Sequence, residues 1–307
     1  MPHGLLYGAS FTKGTLSFTD KQGRTICNAD LWNFLTLTAT SDNSSVALTK
    51  KGTLSNEFEV NVGNGWEEYA FDTVIPLKAG QSCKWRCSAH PTMQSTTSYV
   101  QFVMTGTIEA SGNCNSMLSS YFENLTSLSE NDYAFYELFS NCASLTQAPV
   151  LPATILARSC YSNMFRNCTS LIQAPALPAT ILSQACYIYM FQNCTSLIQA
   201  PALPAKTLAK SCYSDMFQNC ASLTQAPALP AKTLAPECYL MMFGKCSVLT
   251  EVRISATTTA TDALHNWLSG VSTTGNFYCD PSVNYPTGVS GIPEGWTRLP
   301  LSDYPTT

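Results

Sequence analysis

The sequence predicts an α+β chain in which an N-terminal β-sandwich is followed by a short repeat solenoid and an irregular C-terminal cap. Three observations lead there. Cys142, Cys168, Cys194, Cys220 and Cys246 lie 26 residues apart, as do Phe139, Phe165, Phe191, Phe217 and Phe243. Upstream, short alternating or β-branched runs are separated by Gly, Asn and Ser. Downstream, the period fades into a segment rich in Gly, Pro and Tyr. The boundaries read as 1–112 for the sandwich, 113–254 for the repeats and 255–307 for the cap.

In the N-terminal region the strand candidates are Leu35-Thr36-Leu37-Thr38, Ser45-Val46-Ala47-Leu48, Phe58-Glu59-Val60-Asn61-Val62 and Tyr99-Val100-Gln101-Phe102-Val103-Met104. Gly63-Asn64-Gly65-Trp66 and Lys78-Ala79-Gly80-Gln81 supply turns between them. Cys83-x-x-x-Cys87 with His90 has the flavour of a ligand set. On a strand, however, Cys83, Trp85 and Cys87 share one face, which core packing explains. Residues 1–30, with Phe11, Leu16 and Phe18, read as further strands of the sandwich or as an anchor to a partner.

The repeats are near-copies: LPATILARSCYSNMFRNCTSLIQAPA from Leu151, LPATILSQACYIYMFQNCTSLIQAPA from Leu177 and LPAKTLAKSCYSDMFQNCASLTQAPA from Leu203. A fourth from Leu229 loses its ending and a degenerate one starts at Leu125, as terminal units of a stack do. Leu182, Cys186, Met190 and Phe191 recur at helix-like spacing, and Leu197-Ile198-Gln199-Ala200-Pro201-Ala202 reads as a strand. Each unit is thus expected to be a helical turn or two plus one strand. The Cys160, Cys186, Cys212 and Cys238 series keeps the same period. Small, weakly polar Cys suits positions that must stack on their own copies. In the tail, Asp262 is expected to cap a helix over Ala263–Leu268 that closes the open end.

Composition narrows the function classes. Lys plus Arg number 16 against 20 Asp plus Glu, a net charge of −4, without a basic run, which argues against nucleic-acid binding. No apolar stretch reaches the roughly 18 residues of a membrane span, and the start at Met1 lacks the features of a secretory signal. Fourteen cysteines without such a signal are expected to be reduced thiols. The three histidines, at 3, 90 and 265, fall in three segments, and only Asp215 and Glu237 are acidic between residues 139 and 246. No P-loop, dinucleotide fingerprint, nucleophile elbow or His-Glu-x-x-His occurs. Neither catalytic residues, a metal nor a cofactor is expected, so the chain reads as non-enzymatic.

What remains is a surface. Alternation in Leu-x-Gln-Ala-Pro puts Leu171 inward and Gln173 and Pro175 outward, so stacked units align Gln147, Gln173, Gln199 and Gln225. These amides either bond to one another or contact a ligand. Between near-identical units the changes Arg158/Gln184/Lys210/Pro236, Ser162/Ile188/Ser214/Leu240 and Asn163/Tyr189/Asp215/Met241 fit either drift on a solvent face or tuned recognition. Tyr189 and Asp215 therefore join the four glutamines as candidate ligand contacts.

The pattern Cys-Tyr-x-x-Met-Phe-x-Asn-Cys-Thr/Ala-Ser-Leu-x-Gln-Ala-Pro-x-Leu-Pro-Ala resembles the BspA-like leucine-rich repeats of gut Bacteroidales and of their phages. The resemblance extends to Tyr133-Ala134-Phe135 with Leu138-Phe139, to Thr105–Asn113, and to the tail Asn266–Val271 and Gly291–Thr297, and covers roughly residues 58–307. It implies a phage virion protein, a tail or capsid-surface appendage, that binds the bacterial host surface through the repeats. Its partners would be a host glycan or protein and, through the N-terminal domain, other virion proteins, with a homo-oligomeric state. The virion would assemble in the host cytoplasm and be extracellular after lysis. The alternatives are a cellular surface adhesin or interaction scaffold of a Bacteroidales bacterium, located at the cell surface, and a structural virion decoration protein. About five units at about 4.8 Å each span only about 24 Å, short for a spacer.

Overall fold

The computed structural model describes residues 7–12, 15–19, 25–27, 33–54, 57–87, 94–118, 122 and 125–304. It is β-rich and corrects the expected α+β class. No α-helix occurs among the described residues, where short 3-10 turns at Cys114–Met117 and Leu301–Asp303 are the helical segments.

Strands β1 (Tyr7–Thr12), β2 (Thr15–Thr19) and β3 (Thr25–Cys27) form an antiparallel sheet of their own. A second sheet orders β10 (Tyr99–Thr105), β5 (Ser44–Lys51) and β8 (Ile75–Leu77). A third orders β12 (Leu145–Gln147), β11 (Ile108–Ser111), β4 (Leu35–Ala39), β9 (Ser82–Cys87), β6 (Phe58–Asn61) and β7 (Glu67–Glu68). Alternation decides their faces: Leu35, Leu37 and Ala39 are buried on β4, and Cys83, Trp85 and Cys87 on β9. Trp85 of one sheet meets Phe102 of the other edge to face, with ring centroids 5.2 Å apart. Gly63, Gly65 and Gly80 take positive φ in the two expected turns. His3 and His90 lie outside the described residues.

The repeats do not coil as helices. Ser159, Asn163 and Asn167 all have φ between +51° and +61°, and the next unit repeats this at Ala185, Tyr189 and Asn193. Residues 159–168 form overlapping turns, in which Ser162 N donates to Ser159 O, Met164 N to Tyr161 O, Arg166 N to Asn163 O and Cys168 N to Phe165 O at 3.1–3.3 Å. The intervening amides point across to the next unit. Tyr161 N donates to Cys186 O, Asn163 N to Ile188 O and Phe165 N to Met190 O, each at 2.9 Å. A helix would have spent these amides within itself. The turn ribbon divides them between its own chain and its neighbour, and thereby stitches each unit to the next. Its four-residue step also sends Cys186, Met190 and Cys194 inward, a spacing close enough to 3.6 to imitate a helix.

In the three clean units the expected strand is reduced to single parallel bridges, Gln147 to Gln173, Gln173 to Gln199 and Gln225 to Glu251. The proline two residues later has no N–H with which to extend the ladder.

The expected helix after Asp262 is another coil of the same ribbon. Asp262 and Asn266 have positive φ, and Phe243 N donates to Trp267 O at 2.9 Å. Nor is the tail irregular throughout, because β13 (Glu251–Arg253), β14 (Gly275–Cys279) and β15 (Trp296–Pro300) pair in parallel.

Two aromatic columns run through the interior. One comprises Phe102, Phe139, Phe165, Phe191, Phe217 and Phe243, with centroids 5.2–5.7 Å apart. The other runs from Phe135 through Tyr161, Tyr187 and Tyr213 to Tyr239 at 5.4–6.0 Å. Both end on Trp267, 6.4 Å from Tyr239 and from Phe243. The first begins on β10, a strand of the N-terminal sheets, and Phe102 N donates to Leu138 O at 2.8 Å. Strand β10 thus acts as the surface on which the first unit is laid, and one buried core extends from Leu35 to Trp296. The thiols of Cys168, Cys194, Cys220 and Cys246 each donate to the carbonyl of a Phe in the preceding unit at 3.1 Å.

Two outcomes test this architecture. Circular dichroism of the purified chain should show a β- and turn-type spectrum without a helical 222 nm minimum. Phe191→Ala, which interrupts a column at its centre, should cost about 3–5 kcal/mol in urea unfolding, and a loss below 1 kcal/mol would contradict the stacked core.

Candidate functional site

The glutamine bridges follow one parallel register, interrupted between Gln199 and Gln225. It starts with Glu109 on β11 against Gln147, continues through Gln173 and Gln199, and resumes from Gln225 through Glu251 and Asn276 to Thr297. All four glutamines are exposed. Gln147 Nε2 donates to Ala110 O at 3.4 Å. The side chains of Gln173, Gln199 and Gln225 make no hydrogen bond among the described residues, so the amide ladder is not closed on itself. Its donors and acceptors face solvent at a regular spacing set by the backbone bridges.

The prolines depart from the expected alternation. Pro175 is buried and Ala176 exposed, because Ile172 and Gln173 both point outward before Pro175, Leu177 and Ala179 resume the inward phase. This step shapes a groove of about 420 Å³ lined by Gln173, Pro175 and Pro178 of one unit and Gln199, Pro201 and Pro204 of the next. Rigid rings and small alanines form its apolar floor, and the two free amides stand at its rim. A shallow apolar cleft with a few fixed polar groups is the usual form of a small-ligand site.

Tyr189 and Asp215 lie elsewhere, on the turn ribbon, and neither lines this groove. The structure therefore separates the six candidates into a glutamine patch and a ribbon patch. Asp215 is 5% exposed at φ +55°, accepting from Ser214 Oγ at 2.8 Å and from Gln218 Nε2 at 3.1 Å. Burial pushes its carboxyl above the usual range, and the Ser214 bond partly offsets this. Burial likewise raises the phenol of Tyr189, assisted by the Asp215 charge. The Arg166 guanidinium sits 5.8 Å from the centre of the Tyr189 ring.

A third array escaped the sequence reading. Asn167 Nδ2 donates to Asn141 Oδ1, Asn193 to Asn167 and Asn219 to Asn193 at 2.6–2.9 Å. All four hold φ near +60°, where Asn is among the few residues tolerated. The signal was the Asn that precedes Cys142, Cys168, Cys194 and Cys220. This ladder consumes its own donors and acceptors and is structural.

The thiols of the repeat units are buried, and desolvation pushes Cys83, Cys238 and Cys246 up to about 12, far from the thiolate a nucleophile needs. Among the described residues there is no group of three His, Cys, Asp or Glu that could hold a metal. His265 is exposed, with Asn266 Nδ2 3.0 Å from its Nε2. No described helix is long and apolar enough to cross a membrane. Compared with known proteins, the chain matches no family model, no curated protein and no solved structure.

The raised carboxyl of Asp215 yields a pH prediction. A carboxyl higher in the folded than in the unfolded state destabilises the fold when ionised, and that cost disappears as pH falls through the folded value. Asp215→Asn keeps an acceptor for Gln218 and removes the charge. It should raise Tm by about 1–3 °C at pH 7 and by nothing at pH 3, read by calorimetry at both values.

Proposed function

We propose that this chain is a non-enzymatic phage virion protein that binds a bacterial host surface through a leucine-rich-repeat solenoid of the BspA-like kind, mounted through an N-terminal β-sandwich. The observation that carries the binding role is the groove between Gln173 and Gln199, where amides free of internal bonds border a proline-walled apolar floor. A repeat kept only for rigidity would gain from closing that ladder, as the asparagine ladder is closed. The stacked core supports the role by presenting the amides on a fixed backbone, so little conformational entropy is lost when a ligand docks. The buried thiols support assembly in a reducing compartment. The partners in this reading are a host glycan or protein at the repeats and other virion proteins at the N-terminal sheets, in a homo-oligomer.

The test is binding of labelled protein to intact Bacteroidales cells, in competition with their stripped capsular polysaccharide. Saturable binding is expected, and Gln173→Ala with Gln199→Ala should weaken it at least tenfold while leaving Tm unchanged. Full binding by the double variant would remove the groove from the contact. Absence of the protein from purified virions would end the virion reading.

A further inference from the structure

The groove between Gln173 and Gln199 is one segment of a longer feature. Equivalent positions of successive units stack, so its borders are rows that run along the array. Gln173, Gln199 and Gln225 form one border, exposed and without side-chain hydrogen bonds among the described residues. Exposed Pro178 and Pro204 form the other, above buried Pro175 and Pro201. The glutamine row is closed at both ends. Gln147 Nε2 is taken up by Ala110 O, and past Pro230 the equivalent segment, β13, has no proline and carries the charges of Glu251 and Arg253. The open stretch is therefore Gln173, Gln199 and Gln225.

Spacing, polarity and charge decide what fits it. Parallel bridges set the units about 4.8 Å apart at this face. An extended peptide laid along the row repeats its side chains every ~6.7 Å, because successive residues alternate faces, and is out of step by the second amide. A polyproline II peptide repeats every ~9.3 Å and meets only alternate amides. A pyranose linked through opposite ring carbons advances by close to one unit per sugar, so each sugar meets an amide of its own. Each amide offers an acceptor and a donor side by side, and a sugar hydroxyl both donates and accepts. The proline rings give the C–H groups of the sugar an apolar surface on which to pack. No ionisable side chain lines the groove, so a charged sugar would find no counter-charge there.

We infer that the groove takes a neutral linear polysaccharide lying along the array, one pyranose to each unit, with three successive sugars held by Gln173, Gln199 and Gln225. This names the ligand of the groove proposed above and rests on that reading of it.

The test is calorimetric titration of the full-length protein with β-1,4-linked oligomers of glucose, mannose, xylose and N-acetylglucosamine, one to six sugars long. At least one series should bind, tightening at least tenfold from the monosaccharide to the trisaccharide and less than threefold from four sugars to six. Gln225→Ala, at one end of the open row, should bring that plateau one sugar earlier and leave the disaccharide unaffected. Ala176 and Ala202 are exposed in the groove, so Ala176→Phe with Ala202→Phe fills it from outside the core and should abolish binding with Tm unchanged. Tyr189→Ala, on the ribbon, should change nothing. A tenfold rise in salt should move the affinity less than twofold, since charge attraction is what salt screens. The inference is overturned if no series binds, if affinity does not grow with chain length, if the filled groove still binds, or if hexaproline binds there and the saccharides do not. Whole-cell binding is scored separately. Cells bound by a protein that ignores every saccharide would keep the host-surface reading and remove this ligand, whereas saccharide binding without cell binding would do the reverse.

Discussion

Every unit of this protein depends on meeting a copy of itself at fixed register. Half of the amides in the turn ribbon can be satisfied only by the carbonyls of the next unit, and an unpaired buried amide costs as much as a lost hydrogen bond. The aromatic columns impose the same register through ring stacking at 5.2–6.0 Å. The thiols of Cys168, Cys194, Cys220 and Cys246 add a third, each reaching back to a Phe carbonyl. Backbone, ring and sulfur agree on one spacing, and a one-residue slip would break all three together. That shared constraint explains why the inward positions are nearly identical from unit to unit and why sequence freedom is confined to the outer ones.

The two ends of the array solve the problem of a unit with a single neighbour in different ways. At the N-terminal end, β10 offers Phe102 as a ring for the first column and its backbone as a partner for the first coil. At the other end, Trp267 is wide enough to cover both columns, and its indole N–H is satisfied by Gly291 O at 3.1 Å. The parallel strands β13 to β15 continue the register beyond the last clear repeat, so the tail is built by the same rules with a looser sequence.

Much of this was legible in the sequence. The strands at residues 35–39, 44–51, 58–61 and 99–105 follow the alternation that predicted them, and the glutamines face outward as read. The ribbon was not legible, because a four-residue turn step and a 3.6-residue helix send Cys186 and Met190 inward alike. What separates them is the sign of φ at Ala185 and Tyr189, which side-chain patterning does not record. The inward prolines were missed for a related reason: two consecutive outward residues, Ile172 and Gln173, shift the phase of everything after them. The candidate residues were identified one by one, but their division into two patches required the path of the chain between them.

The match between what each coil offers and what it requires has a further consequence. A coil presents to its successor the same amides, ring and Phe oxygen that its predecessor presented to it. An added or deleted 26-residue block would therefore leave every junction chemically unchanged, provided β10 and Trp267 still bracket the array. Recombination between the near-identical blocks of the gene could then lengthen or shorten the outer faces, and deal a new order of side chains to the column that holds Tyr189, without the interior having to be re-evolved.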